Sequence, residues 1–391
     1  MSGHKKKIAF VCQRYGLEVN GGAELHCRQV AERLVPYYDV TVYTTCAMDY
    51  MTWANEYPPG ESELNGVHVR RFRVARGRDK NLLLLSEKVF FDPDHTDKEE
   101  KKWIDGQGPY CPKLVKMLEK EHLQYKRVIF MTYLYYLTAT GMPLGFENAL
   151  MIPTVHDEYP VHMRCYNPVF ESCKGFIWNT EEEKRFAEKR FPKIRTTPGI
   201  MAGVGVDIPE GTLPEIPNVL KGKEYIVYVG RIDESKGCGD LFAFFRKYRD
   251  EHGRGLKLAL IGKPVIDIPE DEDIIHLGFV SEETKFAVIR DSLALVLFSR
   301  FESLSMVVLE SMMMRRPVLV NGYSEVLKGH CVRSNAGLYF NSYPEFAGAL
   351  NYLRDHPEAY AEMCENGEKY VRQNYQWDVI IRKYRQFFGD L

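Results

Sequence analysis

The sequence predicts an α/β protein built from two doubly wound parallel-sheet domains, and three features of the chain indicate this class. Short apolar runs of about five residues recur between longer amphipathic stretches, the pattern of strands alternating with helices. The runs fall into two sets separated by the proline-rich segment 209–217, which can form neither a helix nor a central strand. The length of 391 residues is sufficient for two large domains.

The apolar runs give the predicted strands. Because a parallel sheet is buried on both faces, its strands read as nearly continuous apolar runs. The first set is 7–12, 40–45, 67–74, 128–133, 150–155 and 175–180. The second set is 225–230, 256–262, 274–278, 293–299 and 317–322.

These sets predict an N-terminal domain over residues 1–207 and a C-terminal domain over residues 208–372. The tail 373–391 alternates aromatic, aliphatic and basic residues at helical spacing, which predicts a surface-docked helix. Segment 76–126 interrupts the rhythm, and an insertion of this length usually covers or forms a binding site. Doubly wound sheets bind ligands at the carboxyl ends of their strands, so we expect a site in a cleft between the domains.

Composition excludes several classes of protein. The chain is 45% hydrophobic and 27% charged, as in ordinary globular proteins, which excludes disorder, collagen and coiled coil. Its formal net charge of -2 provides no overall basic field for nucleic acid. The 9 cysteines include no C-x-x-C pair, which indicates a reducing compartment and argues against disulfides and structural zinc.

The sequence also predicts a cytoplasmic location. The uncharged stretch 128–146 is long enough to cross a membrane, but its threonine, glycine and proline content indicates a buried strand and a loop instead. The apolar run 8–12 is too short for a signal-peptide core. The basic run 5–7 is too short to anchor the chain by itself, so peripheral contact at the inner face of the membrane is left open.

A glycine pair, Gly21-Gly22, follows the first predicted strand and opens a helical pattern. Glycines at a helix start let backbone amides approach an anion or a sugar closely, although the same pair also suits a tight loop. No G-x-G-x-x-G follows a strand and no P-loop motif occurs, which argues against nicotinamide dehydrogenases and P-loop nucleotidases.

Two cations follow the first strand of the second set. Arg231 leaves the strand end, and Lys236 lies just before a predicted helix, where the helix dipole also favours negative charge. Together they could clamp a diphosphate without a metal. The alternative is a pair of solvated surface charges.

The run 299–310 follows a later strand and contains a predicted helix start. Ser305 is a plausible N-cap, which would leave the amides of residues 303–307 available to phosphate and place Glu310 within the helix. A carboxylate can accept both hydroxyls of a ribose diol. The neighbours of Glu310 are apolar, so its charge needs a partner.

Other polar residues carry weaker signals. His156 follows the fifth strand, where site residues belong, but a histidine hydrogen-bonded within a loop is an equally simple interpretation. Residues 92–94 and 271–273 match the D-x-D pattern of metal-dependent sugar transfer. Both lie in charged loops, so we expect solvated turns there and no metal site.

Taken together, these motifs resemble the retaining glycosyltransferases of family 4, which have the GT-B fold of two Rossmann-like domains facing across a cleft. The motifs stand in the family's order along nearly the whole chain, and the similarity is strongest over residues 225–340. They are Gly21-Gly22, His156, Gly203-Val204-Gly205-Val206-Asp207, Gly230-Arg231 with Lys236-Gly237, and Glu302 with Glu310 at E-x7-E spacing.

The resemblance implies specific roles for these residues. Arg231 and Lys236 would bind the donor diphosphate, Glu310 the ribose and Glu302 a hydroxyl of the donor sugar, with His156 beneath the sugar. Backbone contacts to phosphate and base, and a final helix that crosses back onto the first domain, are implied as well. The implied donor-binding residues are Gly21, Gly22, Gly230, Phe279, Val280, Ser303, Leu304, Ser305 and Glu310.

The sequence departs from the family pattern at three positions. Ser303 and Ser305 stand where glycines are usual, and Arg316 stands where a glycine usually precedes a strand. Serine is small, so the loop amides should still reach a ligand, but the donor sugar remains open. Candidates for contacting the acceptor, or alternatively for packing, are Gln107, Tyr110, Tyr133, Tyr135 and Tyr136.

The function implied by the resemblance is retaining, metal-independent transfer of a hexose-type sugar, as in polysaccharide biosynthesis. The donor would be a nucleoside-diphosphate sugar, and the acceptor a hydroxyl of a glycan, lipid-linked or small molecule, with no cofactor and no nucleic acid. Retention would arise by same-face attack, the leaving phosphate oxygen taking the acceptor's proton. Alternatives are a nucleotide-sugar 2-epimerase on the same scaffold and a non-catalytic sugar-nucleotide-binding module; the intact E-x7-E favours transfer.

Overall fold

The computed structural model describes residues 5–19, 21–253 and 255–390. The described chain divides into two compact units. The first contains the residues up to Val204 together with those from Ile381 onward, and the second is Gly205–Ile380. The division falls three residues before the expected boundary at 207, and the proline-rich segment 209–217 lies within the second unit, as it does within the expected domain 208–372.

The first unit is built on a sheet of eight strands in the order β3-β4-β2-β1-β5-β6-β7-β8. All neighbouring pairs are parallel except β3 and β4, which are antiparallel. The edge strands β3 and β8 were not expected, because neither forms a buried apolar run. The strands are β1 Lys7–Val11, β2 Asp39–Thr45, β3 Gly60–Leu64, β4 Val67–Phe72, β5 Arg127–Met131, β6 Ala149–Ile152, β7 Phe176–Trp178 and β8 Gly199–Met201.

The insertion 76–126 is largely helical and packs onto the first unit. Its middle helix begins with a capping box in which Thr96 and Glu99 each accept from the other's backbone amide. Trp103 and Leu114 of these helices are buried in the same core as the central strands. The helices of the unit are α1 Gly22–Leu34, α2 Leu82–Phe91, α3 Asp97–Gln107, α4 Pro112–Glu121, α5 Tyr136–Gly141, α6 Asn167–Glu171 and α7 Glu181–Arg190.

The second unit is built on a parallel sheet of six strands in the order β11-β10-β9-β12-β13-β14. This is the doubly wound order, which reverses between β9 and β12. The strands are β9 Glu224–Val229, β10 Leu256–Ile261, β11 Ile274–Gly278, β12 Ala294–Leu297, β13 Val318–Asn321 and β14 Gly337–Phe340. The helices are α8 Cys238–His252, α9 Glu282–Asp291, α10 Met306–Met313, α11 Glu325–Ser334, α12 Tyr343–Asp355 and α13 Pro357–Asn374.

The last helix, α14 Trp377–Phe387, ends among residues of the first unit. Tyr384 and Phe388 are buried, and the Phe388 ring lies edge-on to Tyr38 with centroids 5.7 Å apart. The Asp390 carboxylate accepts hydrogen bonds from the Tyr38 hydroxyl at 2.8 Å and from Lys126 at 2.5 Å. The end of the chain therefore docks on the first unit through apolar packing and paired charges.

One acidic loop differs from the expected solvated turn. Asp273 is fully buried, and its carboxylate pairs with Lys257 and with Arg249, whose Nη1 lies 3.4 Å away. Asp271 also accepts from Arg249. Two cations from α8 and β10 therefore neutralise this loop, which is why the carboxylate can be buried. Asp92, by contrast, pairs with Lys88 in a turn outside the core, as expected.

All 9 cysteines are free, so no disulfide links any part of the described chain. Eight of them are buried and Cys165 is half-buried. No helix in the described ranges combines the length and the apolar character needed to cross a membrane.

Candidate functional site

The carboxyl edge of the second sheet brings two of the sequence motifs together. Strands β9 and β12 are neighbours, with Ala294 paired to Ile226. The loop after β9 carries Gly230 and Arg231, and the loop after β12 carries Glu302. Because both strands end at the same edge, at the point where the strand order reverses, this is the expected ligand position of a doubly wound sheet.

Lys236 and Glu302 form an ion pair at this edge. The Lys236 ammonium donates to Glu302 Oε1 at 2.7 Å, and the two side chains are 32% and 14% exposed. Gly237 has a left-handed backbone with φ 71°, and a Cβ there would lie 2.6 Å from the carbonyl oxygen of Phe298. Only glycine therefore allows the loop carrying Lys236 to pack against the end of β12.

Asp233 organises the loop between Arg231 and Lys236. It is buried, and one carboxylate oxygen accepts from the Lys236 amide at 2.9 Å and from the Ser235 hydroxyl at 2.7 Å. The other oxygen pairs with the Arg231 guanidinium. Although burial favours the neutral acid, the Ser235 hydrogen bond and the Arg231 charge hold the pKa of Asp233 below its usual value. No pattern in the local sequence singled out Asp233.

Glu310 has the partner that its apolar surroundings require. It lies on α10, and its carboxylate is 2.9 Å from the Lys285 ammonium on α9. Burial raises the pKa of Glu310, while the Lys285 charge opposes that rise. The Glu310 and Glu282 carboxylates raise the pKa of Lys285 even though burial disfavours its charge. Nothing in the local sequence distinguished Lys285, because the pairing depends on how α9 and α10 pack.

The loop before α10 does not contain the side-chain cap expected at Ser305. Ser305 does precede the helix, but its side chain makes no capping bond with any described residue. Its backbone is left-handed, with φ 64°, a conformation that suits the glycine usual at this position in the family. Leu304 is buried, and its carbonyl oxygen lies 2.8 Å from His330 Nε2. Ser303 is half-buried in the same loop.

Phe279 and Val280, the implied base contacts, follow β11 at the same carboxyl edge. Strand β11 pairs with β10, which pairs with β9. Phe279 is 75% exposed and Val280 is half-buried, so both are accessible beside the sheet edge.

In the first unit, the glycine pair stands at the N-terminus of α1. A Cβ at Gly21 would lie 2.2 Å from the Glu24 carboxylate, whereas a Cβ at Gly22 would meet nothing within 4 Å. The Glu24 carboxylate accepts from Gln13 at 2.9 Å and from Arg14 at 2.8 Å. A side chain at position 21 would therefore have to displace the Glu24 and Arg14 side chains, whereas the space beside Gly22 is open. The buried Arg14 and Glu24 pair was not expected from the sequence.

His156 lies in the loop after β6. Its Nε2 is 3.8 Å from Glu158 Oε1, and its side chain is 26% exposed. Glu158 also accepts a hydrogen bond from the Tyr133 hydroxyl at 2.7 Å. The loop contains a left-handed threonine, Thr154, with φ 50°. A left-handed backbone is strained at a residue other than glycine, and the surrounding structure must maintain it. Strained residues of this kind cluster at functional sites.

Glu183 holds that loop in place. The side chain is buried and accepts from the amide of Val155 at 2.9 Å and from the amide of Asn179 at 2.6 Å. Burial raises the pKa of Glu183 to about 8, although the backbone hydrogen bonds oppose the rise. One carboxyl group thus ties the loop after β6 to the loop after β7. No pattern in the local sequence singled out Glu183.

Two of the acceptor candidates are buried, which favours the alternative that they serve packing. Tyr133 is fully buried in the core, where its ring lies edge-on to Tyr166, so it offers no face to an acceptor. Gln107 is 8% exposed, and its backbone carbonyl accepts from Trp53 Nε1 at 2.7 Å. Tyr133 follows β5 and is held by packing in the core, whereas Gln107 ends α3 of the insertion, whose helices pack onto the sheet.

Two of the remaining aromatic candidates are more accessible. Tyr110 is half-buried, with its ring 4.9 Å from that of Tyr136, which is itself buried. Tyr135 is half-buried and lies edge-on to Trp53 with centroids 5.4 Å apart. Tyr110 and Tyr135 therefore remain candidates. Within the described ranges, no three His, Cys, Asp or Glu side chains cluster closely enough to hold a metal ion.

Solved structures share this fold over the whole chain. The sucrose-phosphate synthase of Thermosynechococcus elongatus matches with a TM-score of 0.69 at 16% identity, covering 99% of this chain and 100% of that chain. Anabaena HepE in complex with UDP and glucose matches with a TM-score of 0.68 at 14% identity, again covering 99% and 100%. The protein has the GT-B fold, with two Rossmann-like parallel-sheet domains, as predicted.

Residues 223–356, which contain Lys236, Glu302 and Glu310, match the model of the family described as Glycosyl transferases group 1. The match covers the second unit's sheet from β9 to β14.

Curated relatives are glycosyltransferases by name. Glycosyltransferase 1 domain-containing protein 1 of Xenopus tropicalis is 28% identical over 164 residues, 39% of this chain and 46% of that protein. Alpha-D-kanosaminyltransferase of Streptomyces kanamyceticus is 30% identical over 165 residues, 38% and 40% of the two chains. The chain therefore matches less than half the length of either. An uncharacterized glycosyltransferase of Methanocaldococcus jannaschii is 24% identical over 412 aligned positions, 96% of each chain.

Proposed function

We propose that the protein is a retaining, metal-independent glycosyltransferase. It transfers a hexose-type sugar from a nucleoside-diphosphate sugar to a hydroxyl of a glycan, lipid-linked or small-molecule acceptor. The observation that carries this proposal is the ion pair of Lys236 with Glu302 at the β9 and β12 switch point. It lies within the segment that matches the family model of Glycosyl transferases group 1.

The second unit supplies the donor site in this proposal. Arg231 and Lys236 bind the diphosphate, Glu310 accepts from the ribose hydroxyls, and Glu302 orients a hydroxyl of the sugar. Asp233 is the positioning residue, because it holds the Arg231 side chain and the Lys236 amide at once. Lys285 orients the Glu310 carboxylate through its ion pair. Phe279 and Val280 flank the base.

The first unit supplies contacts of its own. Gly22 allows close approach of a ligand to the start of α1, which the open space beside it supports. His156 contacts the sugar, held by its loop and by Glu183. Tyr110 and Tyr135 are the acceptor contacts that their accessibility supports.

In this mechanism the protein stabilises the departing nucleoside diphosphate. Arg231, Lys236 and the amides that precede α10 are fixed donors, so little reorganisation is needed as negative charge develops. The acceptor hydroxyl attacks the same face of the sugar from which the leaving group departs. The leaving phosphate oxygen takes the proton of that hydroxyl. The new glycosidic bond forms as the sugar to phosphate bond breaks, with retained configuration. No step uses a metal ion.

The proposal is tested by thermal shift and slow hydrolysis of nucleoside-diphosphate sugars, in the presence of a chelator. Two of the structural neighbours are described with UDP and glucose or with UDP-2-fluoro glucose, so UDP sugars come first, followed by guanosine and adenosine diphosphate sugars. One donor is expected to raise the unfolding temperature and to be hydrolysed. No response to any donor, or a requirement for a divalent metal, would overturn the proposal.

Variants identify the site responsible. Glu310→Gln keeps the shape beside Lys285 and is expected to remove donor stabilisation, while Glu362→Gln, an exposed glutamate on α13, is the matched control. Lys236→Ala should lower turnover by roughly 10²–10³-fold, the usual loss on removing one charge-stabilising donor. Lys369→Ala, an exposed lysine of the same unit, should leave turnover unchanged. Near-normal turnover of Lys236→Ala would reject the diphosphate assignment.

A further inference from the structure

The first unit contains an arginine, Arg78, whose positive charge has no paired carboxylate among the described residues. Arg78 lies in the loop between β4 and α2 and is half-buried. Two of its guanidinium nitrogens, Nε and Nη2, are enclosed and have no hydrogen-bond partner among the described residues. An enclosed cationic donor with no acceptor is costly, so such a group is usually completed by a partner.

The guanidinium is held against aromatic rings. Its central carbon lies 5.6 Å from the Trp53 ring centroid and 5.8 Å from that of Tyr50. The backbone is pinned as well, because the Arg78 amide donates to the Thr52 carbonyl at 3.3 Å. A Cβ at Gly77 would lie 2.7 Å from that same carbonyl, so the close approach requires glycine. The position of Arg78 is therefore set before any ligand binds.

The neighbouring charges do not neutralise Arg78. Arg14 lies 5.4 Å from the same Tyr50 ring, but its guanidinium is paired with Glu24 at 2.7 Å. The Asp49 carboxylate accepts from the Thr52 amide and hydroxyl and from a neighbouring amide within its own turn. Burial lowers the pKa of Arg78, and the charges of Tyr135, Tyr50 and Asp49 only partly offset this.

Arg78 lies at the carboxyl edge of the first sheet. Arg14 follows β1 and Arg78 follows β4, so both extend from the carboxyl edge of the first sheet. The order of that sheet reverses between β1 and β5. Gly21 lies against Arg14, since a Cβ there would be 2.7 Å from Arg14 Nη2. Arg78 thus belongs to the edge at which the glycine pair also lies.

We propose that Arg78 binds an anionic group, a phosphate or a carboxylate, on the acceptor molecule. The inference rests on the proposed glycosyltransferase function and narrows its acceptor to an anionic sugar or sugar derivative. A guanidinium presents a planar fork of donors that matches these anions, and Arg is favoured where such a group lies on aromatic faces. The rings of Tyr50 and Trp53 beside it suit the apolar face of a sugar.

The first test measures anion binding without any turnover. Thermal unfolding is followed with inorganic phosphate, against sodium chloride at equal ionic strength, in a Lys236→Ala background that weakens phosphate binding at the donor site. Arg78→Gln is expected to weaken the phosphate response about 10- to 150-fold, the usual range for a hydrogen bond to a charged group. Arg73→Gln, an exposed arginine of the same segment with the same change in charge, should retain the response.

The phosphate responses of the variants either support or overturn the proposal that Arg78 binds an anion. A saturable phosphate response that Arg78→Gln loses and Arg73→Gln keeps supports it, and Arg78→Lys should give an intermediate response, because the charge remains and the fork is lost. No phosphate response in the starting protein, or an unchanged response in Arg78→Gln, overturns it. Unfolding without phosphate is measured for every variant, so a general loss of stability is detected separately.

A second test distinguishes the sources of the anion. With the donor found by the hydrolysis panel, transfer is compared for a hexose phosphate, a hexuronic acid and the uncharged hexose. One charged acceptor is expected to be preferred, with its KM raised in Arg78→Gln and donor hydrolysis unchanged. Preference for the uncharged hexose would overturn the inference while leaving the glycosyltransferase proposal intact. Failure of every donor would reject the function, yet the phosphate test would still assess Arg78.

Discussion

The residues at the edge of the second sheet form pairs of opposite charge. Lys236 is paired with Glu302, Lys285 with Glu310, and Arg231 with Asp233. Each pair is partly buried, so removing one partner leaves the other uncompensated. Substitutions that keep shape, such as glutamate to glutamine, therefore separate a role in binding from a role in folding better than alanine does.

The free energy of unfolding is expected to depend on pH through Glu183. Its pKa is about 8 in the folded protein and should return to the ordinary glutamate value of about 4.3 on unfolding. Between these values the folded state holds a proton that the unfolded state releases, so a rise in pH favours unfolding. The stability advantage of the native protein over Glu183→Gln should therefore shrink between pH 5 and pH 8, by on the order of 3 kcal/mol.

Thermal or denaturant unfolding of both proteins at pH 5 and pH 8 measures this difference. Glu188→Gln, on the more accessible part of the same helix α7, is the control and should show no change with pH relative to the native protein. A constant difference between native protein and Glu183→Gln across this interval would contradict a raised pKa. Because Glu183 holds the amide of Val155, Glu183→Gln should also lower turnover.

Alanine substitutions at the two glycines that begin helix α1 are expected to have different effects on stability. Gly22→Ala should leave the unliganded protein as stable as before or slightly more so, since its Cβ meets no other atom and alanine favours helix. Gly21→Ala should cost about 1–3 kcal/mol, because its Cβ would collide with the buried pair of Arg14 and Glu24.

The two glycine variants are compared by unfolding temperature with and without the identified donor. Gly22→Ala is expected to lose donor stabilisation while keeping its unliganded unfolding temperature. Unchanged donor binding by Gly22→Ala would show that the open space beside α1 is not used by the ligand. Gly21→Ala serves as the comparison, since it acts through packing.

At the scale of the whole molecule, the end of the chain belongs to the first unit. Phe388 is 1% exposed and packs against Tyr38 and Tyr384. Phe388→Ala should destabilise the first unit by about 3 kcal/mol, as expected on removing a buried aromatic ring. Hydrogen exchange resolved by segment should show the loss in β1 and β2, while β9 and β12 keep their protection.

Arg382→Ala, an exposed residue on the same helix, is the control for that measurement and should leave exchange unchanged in both units. Equal loss of protection in the second unit would contradict the assignment of the chain end to the first. The carboxylate of Asp390, paired with Lys6 and Lys126, adds an electrostatic contribution to the same docking.

Much of the fold could be predicted from the sequence. The central strands of both sheets were expected as continuous apolar runs, because burial on both faces requires such runs. Strands β3, β8 and β14 were missed, since none of the three forms a long buried apolar run. The burial of Asp273 was also missed, because its neutralising cations come from β10 and α8.

The sequence by itself determined the two sets of strands and the motifs that carry Arg231, Lys236, Glu302 and Glu310, since periodicity and turn chemistry are local properties of the chain. Only the tertiary structure decided which groups are paired and which are not. Strand order and helix packing bring distant loops to one sheet edge, and charge pairing follows that proximity. Residues identified in this way are Asp233, Lys285, Glu183, Arg14, Glu24 and Arg78.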